Sequence, residues 1–129
     1  MFYLKITLLI IFSISTSWAA PLTLHSGDII FQTSNSKQSY AIMWASKTLY
    51  SHVGIIEVDK DKTYVIEAIS TVSRTPLEKW KARGRFGRYV IYRYDNLSEE
   101  QQLAIIKAAK DLLGRHYDIF FTSTVQHLV

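Results

Sequence analysis

Two β-branched apolar runs, His52–Val58 and Thr63–Ile69, stand on either side of four consecutive charges, Asp59-Lys60-Asp61-Lys62. Runs of this kind joined only by a polar turn fold back on one another as a hairpin. If Val58 pairs with Thr63, paired residue numbers sum to 121, and Glu67 lies opposite Gly54. His52 then shares that face of the sheet, one diagonal step from the carboxylate. The register matters, because a slip of one residue would send the two side chains to opposite faces. In the expected register, a carboxylate is placed to orient an imidazole as a general base.

The rest of the chain sets the frame for that pair. At 129 residues, 48% apolar and 20% charged, it has room for one small globular domain. Its first twenty residues read differently. Lys5 precedes an apolar core from Ile6 to Ile14, and Ser17-Trp18-Ala19 brings small residues to a cleavage position after Ala19 or Ala20. The apolar stretch falls short of the ~20 residues of a spanning helix, so residues 1–20 are expected to be a signal peptide rather than a transmembrane span. Export to the periplasm or cell envelope follows as an expectation. Residues 21–129, about 110 of them, then form a core without disulfides, since the sequence has no cysteine.

The formal charge is +4, and its distribution is uneven. From Arg74 to Arg93 there are seven basic residues (Arg74, Lys79, Lys81, Arg83, Arg85, Arg88 and Arg93) against the single acid Glu78. Such a stretch could face an anionic envelope surface, while a solvated strand edge is the plainer reading. Nucleic acid is a poor partner for an exported chain. His25, His52 and His116 lack the spacing of a metal site, and neither metal nor cofactor is expected.

Periodicity supplies the remaining elements. Leu24 to Gln32 reads as an opening strand after the Gly27-Asp28 turn, and Lys37 to Lys47 as a helix burying Ala41, Ile42, Trp44 and Ala45. Thr75-Pro76-Leu77-Glu78 has the marks of a helix start, a capping hydroxyl with proline in the first turn, for a short helix ending near Lys81. Tyr89 to Tyr94 alternates as a strand. Ser98 with Gln101 caps the longest helix, whose apolar positions Leu103, Ile106, Ala109 and Leu113 recur at helical spacing before Gly114 ends it.

These blocks, in this order, resemble a known family. Gly27-Asp28-Ile29-Ile30-Phe31-Gln32, Gln38-Ser39 with Ala41-Ile42, Ser51-His52-Val53-Gly54, Glu67-Ala68, Thr75-Pro76-Leu77 with Trp80, and Gly114 with Tyr117-Asp118 closely resemble the YiiX/YebB-like permuted papain-like hydrolases. This is a rearranged branch of the NlpC-type cysteine peptidases related to the lecithin:retinol acyltransferase group. The resemblance implies an α+β papain-like fold with a small antiparallel sheet packed against helices. It also implies hydrolysis of amide or ester bonds, in cell-wall peptides or lipid-linked acyl groups, with His52 as base, Glu67 as the orienting residue and Tyr117 in the substrate-binding wall.

In the family the nucleophilic cysteine comes last, at a helix start beyond the tyrosine-aspartate block. A helix N-terminus and a nearby imidazolium stabilise the thiolate there. This sequence has no such cysteine, and Ser123, Thr122 and Thr124 are hydroxyls without a following helix start. The expectation is a domain incomplete at its C-terminus and inactive as it stands. The alternative is a non-catalytic module that uses the same cleft to bind a peptide or acyl chain. On residue type alone, a satisfied core histidine is the default reading of His52 and an aromatic plug that of Tyr117, and the family resemblance is what turns both toward a site. Glu67 is harder to dismiss, because burying a carboxylate among Val65, Ile66, Ala68 and Ile69 is costly without a partner.

Overall fold

The structure, a computed structural model, describes residues 22–116. The expected signal peptide, Tyr117-Asp118 and Ser123 lie outside those residues. Along the chain the elements are β1 (Ile29–Ser34), α1 (Gln38–Ser46), β2 (His52–Asp59), β3 (Lys62–Ala68), β4 (Val72–Pro76), α2 (Leu77–Ala82), β5 (Gly84–Tyr92) and α3 (Glu99–Lys110). The five strands form one antiparallel sheet in the order β4-β3-β2-β1-β5. It is an α+β papain-like arrangement, with helices on a small sheet.

The hairpin adopts the register that the charged turn implies. Val58 pairs with Thr63 and Gly54 with Glu67, and the chain reverses over Lys60 and Asp61, with Lys60 in the left-handed region at φ 56°. Period-two alternation then sorts side chains to two faces. One face carries Ile30, Ile56 and Val65, closed by Trp80 of α2, all four fully buried. The opposite face carries Ile55, Glu57 and Ile66, against which α3 lays Ile106 and Ala109. Gly54 is required by the packing of the first face, since a Cβ there would lie 2.2 Å from Val65 Cγ1.

Several elements depart from the sequence expectation. The opening strand begins at Ile29 and runs to Ser34, and β5 starts at Gly84 rather than Tyr89, pairing with Ser34 beyond a bulge in β1. Strand β4 has no alternating apolar signature and is missing from the sequence reading. Helix α1 does not bury Ala41, Ile42, Trp44 and Ala45; Ile42 is 42% and Trp44 77% exposed. Its anchor is its first turn, where fully buried Ser39 shares a 2.6 Å hydrogen bond with Ser51 Oγ. Apolar periodicity marks a helix side, but that side is buried only if another element lies within reach.

Helix α3 starts at its expected cap, but it ends at Lys110 with Asp111 as its C-cap, before reaching Gly114. Ser98 Oγ accepts from Gln101 N at 3.2 Å, Gln101 Oε1 accepts from Ser98 N at 2.9 Å, and Gly114 takes φ 81° beyond the helix. Its expected apolar stripe is only half realised, because Ile106 is buried while Leu103 is 64% exposed. No helix among the described residues is long and apolar enough to cross a membrane.

Candidate active site

His52 opens β2 opposite Gln32 of β1, and the residue before it is anchored. Ser51 N donates to Gln32 O at 3.1 Å, while Ser51 Oγ accepts from Ser34 N at 2.9 Å as it meets Ser39. The imidazole lies over the indole of Trp80, with ring centroids 6.1 Å apart and planes 27° from parallel. Backbone and ring are therefore both held, and only 18% of the side chain is exposed.

Glu67 meets the imidazole as the register requires. His52 Nε2 and Glu67 Oε2 are 2.6 Å apart, and the Glu67 side chain is wholly enclosed. Its other oxygen, Oε1, accepts from Thr75 Oγ1 at 2.6 Å and from Arg83 Nη2. Burial pushes the Glu67 carboxyl up, but hydrogen bonds from His52 and Thr75, with the charge and hydrogen bond of Arg83, more than offset it and hold the group below the ordinary carboxylate range. An ionised Glu67 can only accept, so the proton shared with the ring sits on Nε2 and the Nδ1 lone pair is left free. That is the state a general base needs.

Thr75 and Arg83 are the two site residues that sequence reasoning missed. Thr75 was expected to cap α2, yet the N-cap is Pro76, without a side-chain cap bond, and the Thr75 hydroxyl turns to Glu67 instead. A buried carboxylate has a stronger demand for donors than a helix end that water can reach. Arg83 was read only as one member of a basic stretch. The signal available for it was the isolated Glu67 in an apolar strand, which needs a cation from elsewhere in the chain.

The basic stretch itself is largely committed inside the molecule. Arg74 pairs with Glu57 and Asp59, Lys81 with Glu78, Arg83 with Glu67, and Arg93 with Asp28. Only Lys79, Arg85 and Arg88 of the seven make no ion pair with another described residue, so the cationic surface available to an anionic partner is narrower than composition implies. A cavity of about 360 Å³ with a mixed lining adjoins the pair, walled by Gln32, Ser51, His52 and Arg83 together with Ile42 and Ile69. A larger apolar groove of about 690 Å³ lies between α3 and the sheet, walled by Ile29, Val53, Ile55, Ile66, Ile105 and Leu112.

Residues 23–127 match the model of a family described as permuted papain-like amidase enzymes, YaeF/YiiX, C92 family. The chain belongs to this family. The amidase family includes YiiX of Escherichia coli K12, an uncharacterized protein to which this chain is 47% identical over 98 residues, covering 75% of this chain and 48% of the relative. A crystal structure described as metalloprotein YiiX from Escherichia coli O157:H7 superposes with a TM-score of 0.69 at 47% identity, over 72% of this chain and 52% of that one. The chain thus spans about half the length of the relatives it matches.

Proposed function

We propose that this chain carries the base half of a papain-like amidase site, with His52 as general base and Glu67 as the residue that orients it. The observation that carries the reading is the 2.6 Å contact between Nε2 and an enclosed, ionised carboxylate, within a family of amidases. The chemistry such a pair supports is acyl transfer from an amide or ester. Nδ1 of His52 takes the proton of a thiol as its sulfur attacks the carbonyl carbon, the imidazolium returns that proton to the departing amine or alcohol, and water then cleaves the thioester with the imidazole again as base. The sequence contains no cysteine, so these 129 residues do not complete that cycle by themselves.

Cell-wall peptides and lipid-linked acyl groups are the substrate classes in view, with Tyr117 in the substrate wall and export directed by residues 1–20. The apolar groove, whose wall includes part of His52, favours one second reading, a binding module that holds a peptide or acyl chain without cleaving it. The YiiX crystal structure is described as that of a metalloprotein, but the described residues of this chain offer no matching donor set. No three His, Cys, Asp or Glu side chains converge among them, and both Glu67 oxygens are already hydrogen-bonded.

Intact-mass spectrometry after incubation with an activated acyl ester and a fluorophosphonate tests the reading. The expected result is no acyl adduct and no turnover, together with saturable binding of an acyl amide or wall peptide that is lost in His52→Ala. An adduct at Ser123, or turnover, would replace the reading with a serine hydrolase. Binding indifferent to His52→Ala would remove His52 from the site.

A further inference from the structure

Arg83 sits where a pair of sequence signals could not place it. It is the C-cap of α2, its backbone N–H donating to Trp80 O at 3.2 Å and its carbonyl accepting from Asn35 Nδ2 at 3.3 Å. The next residue, Gly84, has no room for a side chain, because a Cβ there would stand 2.2 Å from Gln32 Oε1. Both ends of the residue are thus pinned, and its guanidinium reaches the enclosed Glu67 through Nη2. Nε is buried without a partner among the described residues. The guanidinium is therefore held for one contact, with the oxygen of Glu67 that His52 does not use.

The consequence lies in which nitrogen of His52 bears a proton. An ionised Glu67 accepts from Nε2–H and leaves Nδ1 as the basic atom. A protonated Glu67 would instead donate to Nε2, the ring would carry its proton on Nδ1, and the open side of the imidazole would become a donor. Burial alone favours the protonated acid. The charged groups facing the ring are Glu67 from β3 and Arg83 from the end of α2; β1 contributes the neutral Gln32, β4 the hydroxyl of Thr75, and α2 the indole of Trp80. Thr75 gives a hydrogen bond but no charge.

We infer that Arg83 is a positioning residue that selects the Nε2–H tautomer of His52 by keeping the enclosed Glu67 carboxylate ionised. The inference rests on the assignment of His52 as base, but its test needs no turnover, so the two stand or fall separately. The Glu67 carboxyl carbon and the His52 ring nitrogens are followed by NMR against pH in the full chain. In Arg83→Gln the pH at which Glu67 takes up its proton should rise by about one unit or more, the size of effect a neighbouring guanidinium exerts on a carboxyl. The ring should shift toward Nδ1–H over the same interval. Arg83→Lys should restore both in large part.

A role confined to holding the fold would lower the melting temperature and leave the carboxyl midpoint and the tautomer alone. A Gln variant that folds with a midpoint within about 0.3 unit of the parent would overturn the inference, taking the one-unit effect of an adjacent cation as the scale. Should that variant not fold, the parent chain decides. Its Arg83 guanidinium resonances must titrate together with Glu67, and a flat response across that midpoint is equally fatal.

Discussion

Glu67 and Glu57 are both carboxylates enclosed on neighbouring strands of one sheet, yet they face opposite sides and keep different company. Glu57 meets Arg74 Nε at 2.6 Å and the Lys110 ammonium, which ties β4 and α3 onto β2. Both of its partners are full cations with access to water, and nothing titratable near neutrality touches it. Glu67 divides its oxygens between a cation and hydroxyl on one side and an imidazole on the other. Burial raises both carboxyls and the surrounding donors lower them further, so each sits below its ordinary range. The contrast teaches that burial and a lowered pKa do not by themselves mark a functional acid. What distinguishes Glu67 is a partner able to gain and lose a proton, with its other nitrogen left free.

Removing each carboxylate is the strongest way to break the comparison. In Glu67→Ala, the enclosed site keeps Arg83, Thr75 and His52 without their shared acceptor, and the loss expected is about 3–5 kcal/mol by urea denaturation. Glu57→Ala leaves Arg74 and Lys110 able to turn toward solvent, so about 1–2 kcal/mol is expected, within the ordinary range for a point change. Equal losses would mean that both acids are plain structural clamps.

Gly54 sharpens the comparison at the backbone. It pairs directly with Glu67, and the methyl group of Gly54→Ala would drive into Val65 Cγ1, at a cost of about 1–3 kcal/mol for overpacking. Relief requires β2 to move off β3, which lengthens the contact between His52 and Glu67 while leaving Glu57 and Arg74 on the far face. The check is the Nε2–H resonance of His52 alongside the denaturation midpoint. A normal resonance in a destabilised variant would show that the register tolerates the methyl group without disturbing the pair.

Acid should act on both sites in the same direction. Each carboxyl has a folded pKa below its unfolded value, so the stability it contributes is fully present above the unfolded pKa of about 4.3. That contribution is lost as pH falls through the folded value, because the unfolded chain binds more protons there. Within that window Glu57→Gln and Glu67→Gln should each flatten the dependence of unfolding free energy on pH, by at most one proton's worth, about 1.4 kcal/mol per pH unit. Asp28, held down by Arg93 and the His25 N–H against the upward push of burial, contributes in the same window and remains in both variants. An unchanged slope in Glu67→Gln would show that folding does not lower the pKa of this carboxyl.

The hairpin and the His52–Glu67 contact were legible in the sequence because a charged turn fixes the register and period-two alternation does the rest. Helix α3 was legible at its N-terminus for a similar local reason, since its capping box is written within four residues. What sequence could not show is what depends on distant chain. Strand β4 is held by pairing with β3 rather than by its own alternation, and Arg83 reaches Glu67 across sixteen positions after a helix and a cap. The side buried by α1 failed for the same reason, as only its first turn meets the sheet.

Thr75 joins both themes, and its replacement is the smallest and most discriminating change. A capping threonine and a carboxylate-binding threonine make the same prediction for stability, a loss of about 1 kcal/mol. They differ in where the loss is felt. In Thr75→Val, the hydroxyl bonded to Glu67 Oε1 disappears from a residue only 8% exposed, while Pro76 remains the N-cap of α2. Amide exchange at Leu77, Glu78 and Lys79 should therefore stay as it is in the parent, and the Glu67 carboxyl resonance should move. With Arg83 still in place the carboxylate stays ionised, so its protonation midpoint should rise less than in Arg83→Gln. Fraying confined to the first turn of α2, with an undisturbed Glu67, would return Thr75 to the capping role that its sequence context suggests and leave Arg83 as the sole neighbour holding that oxygen.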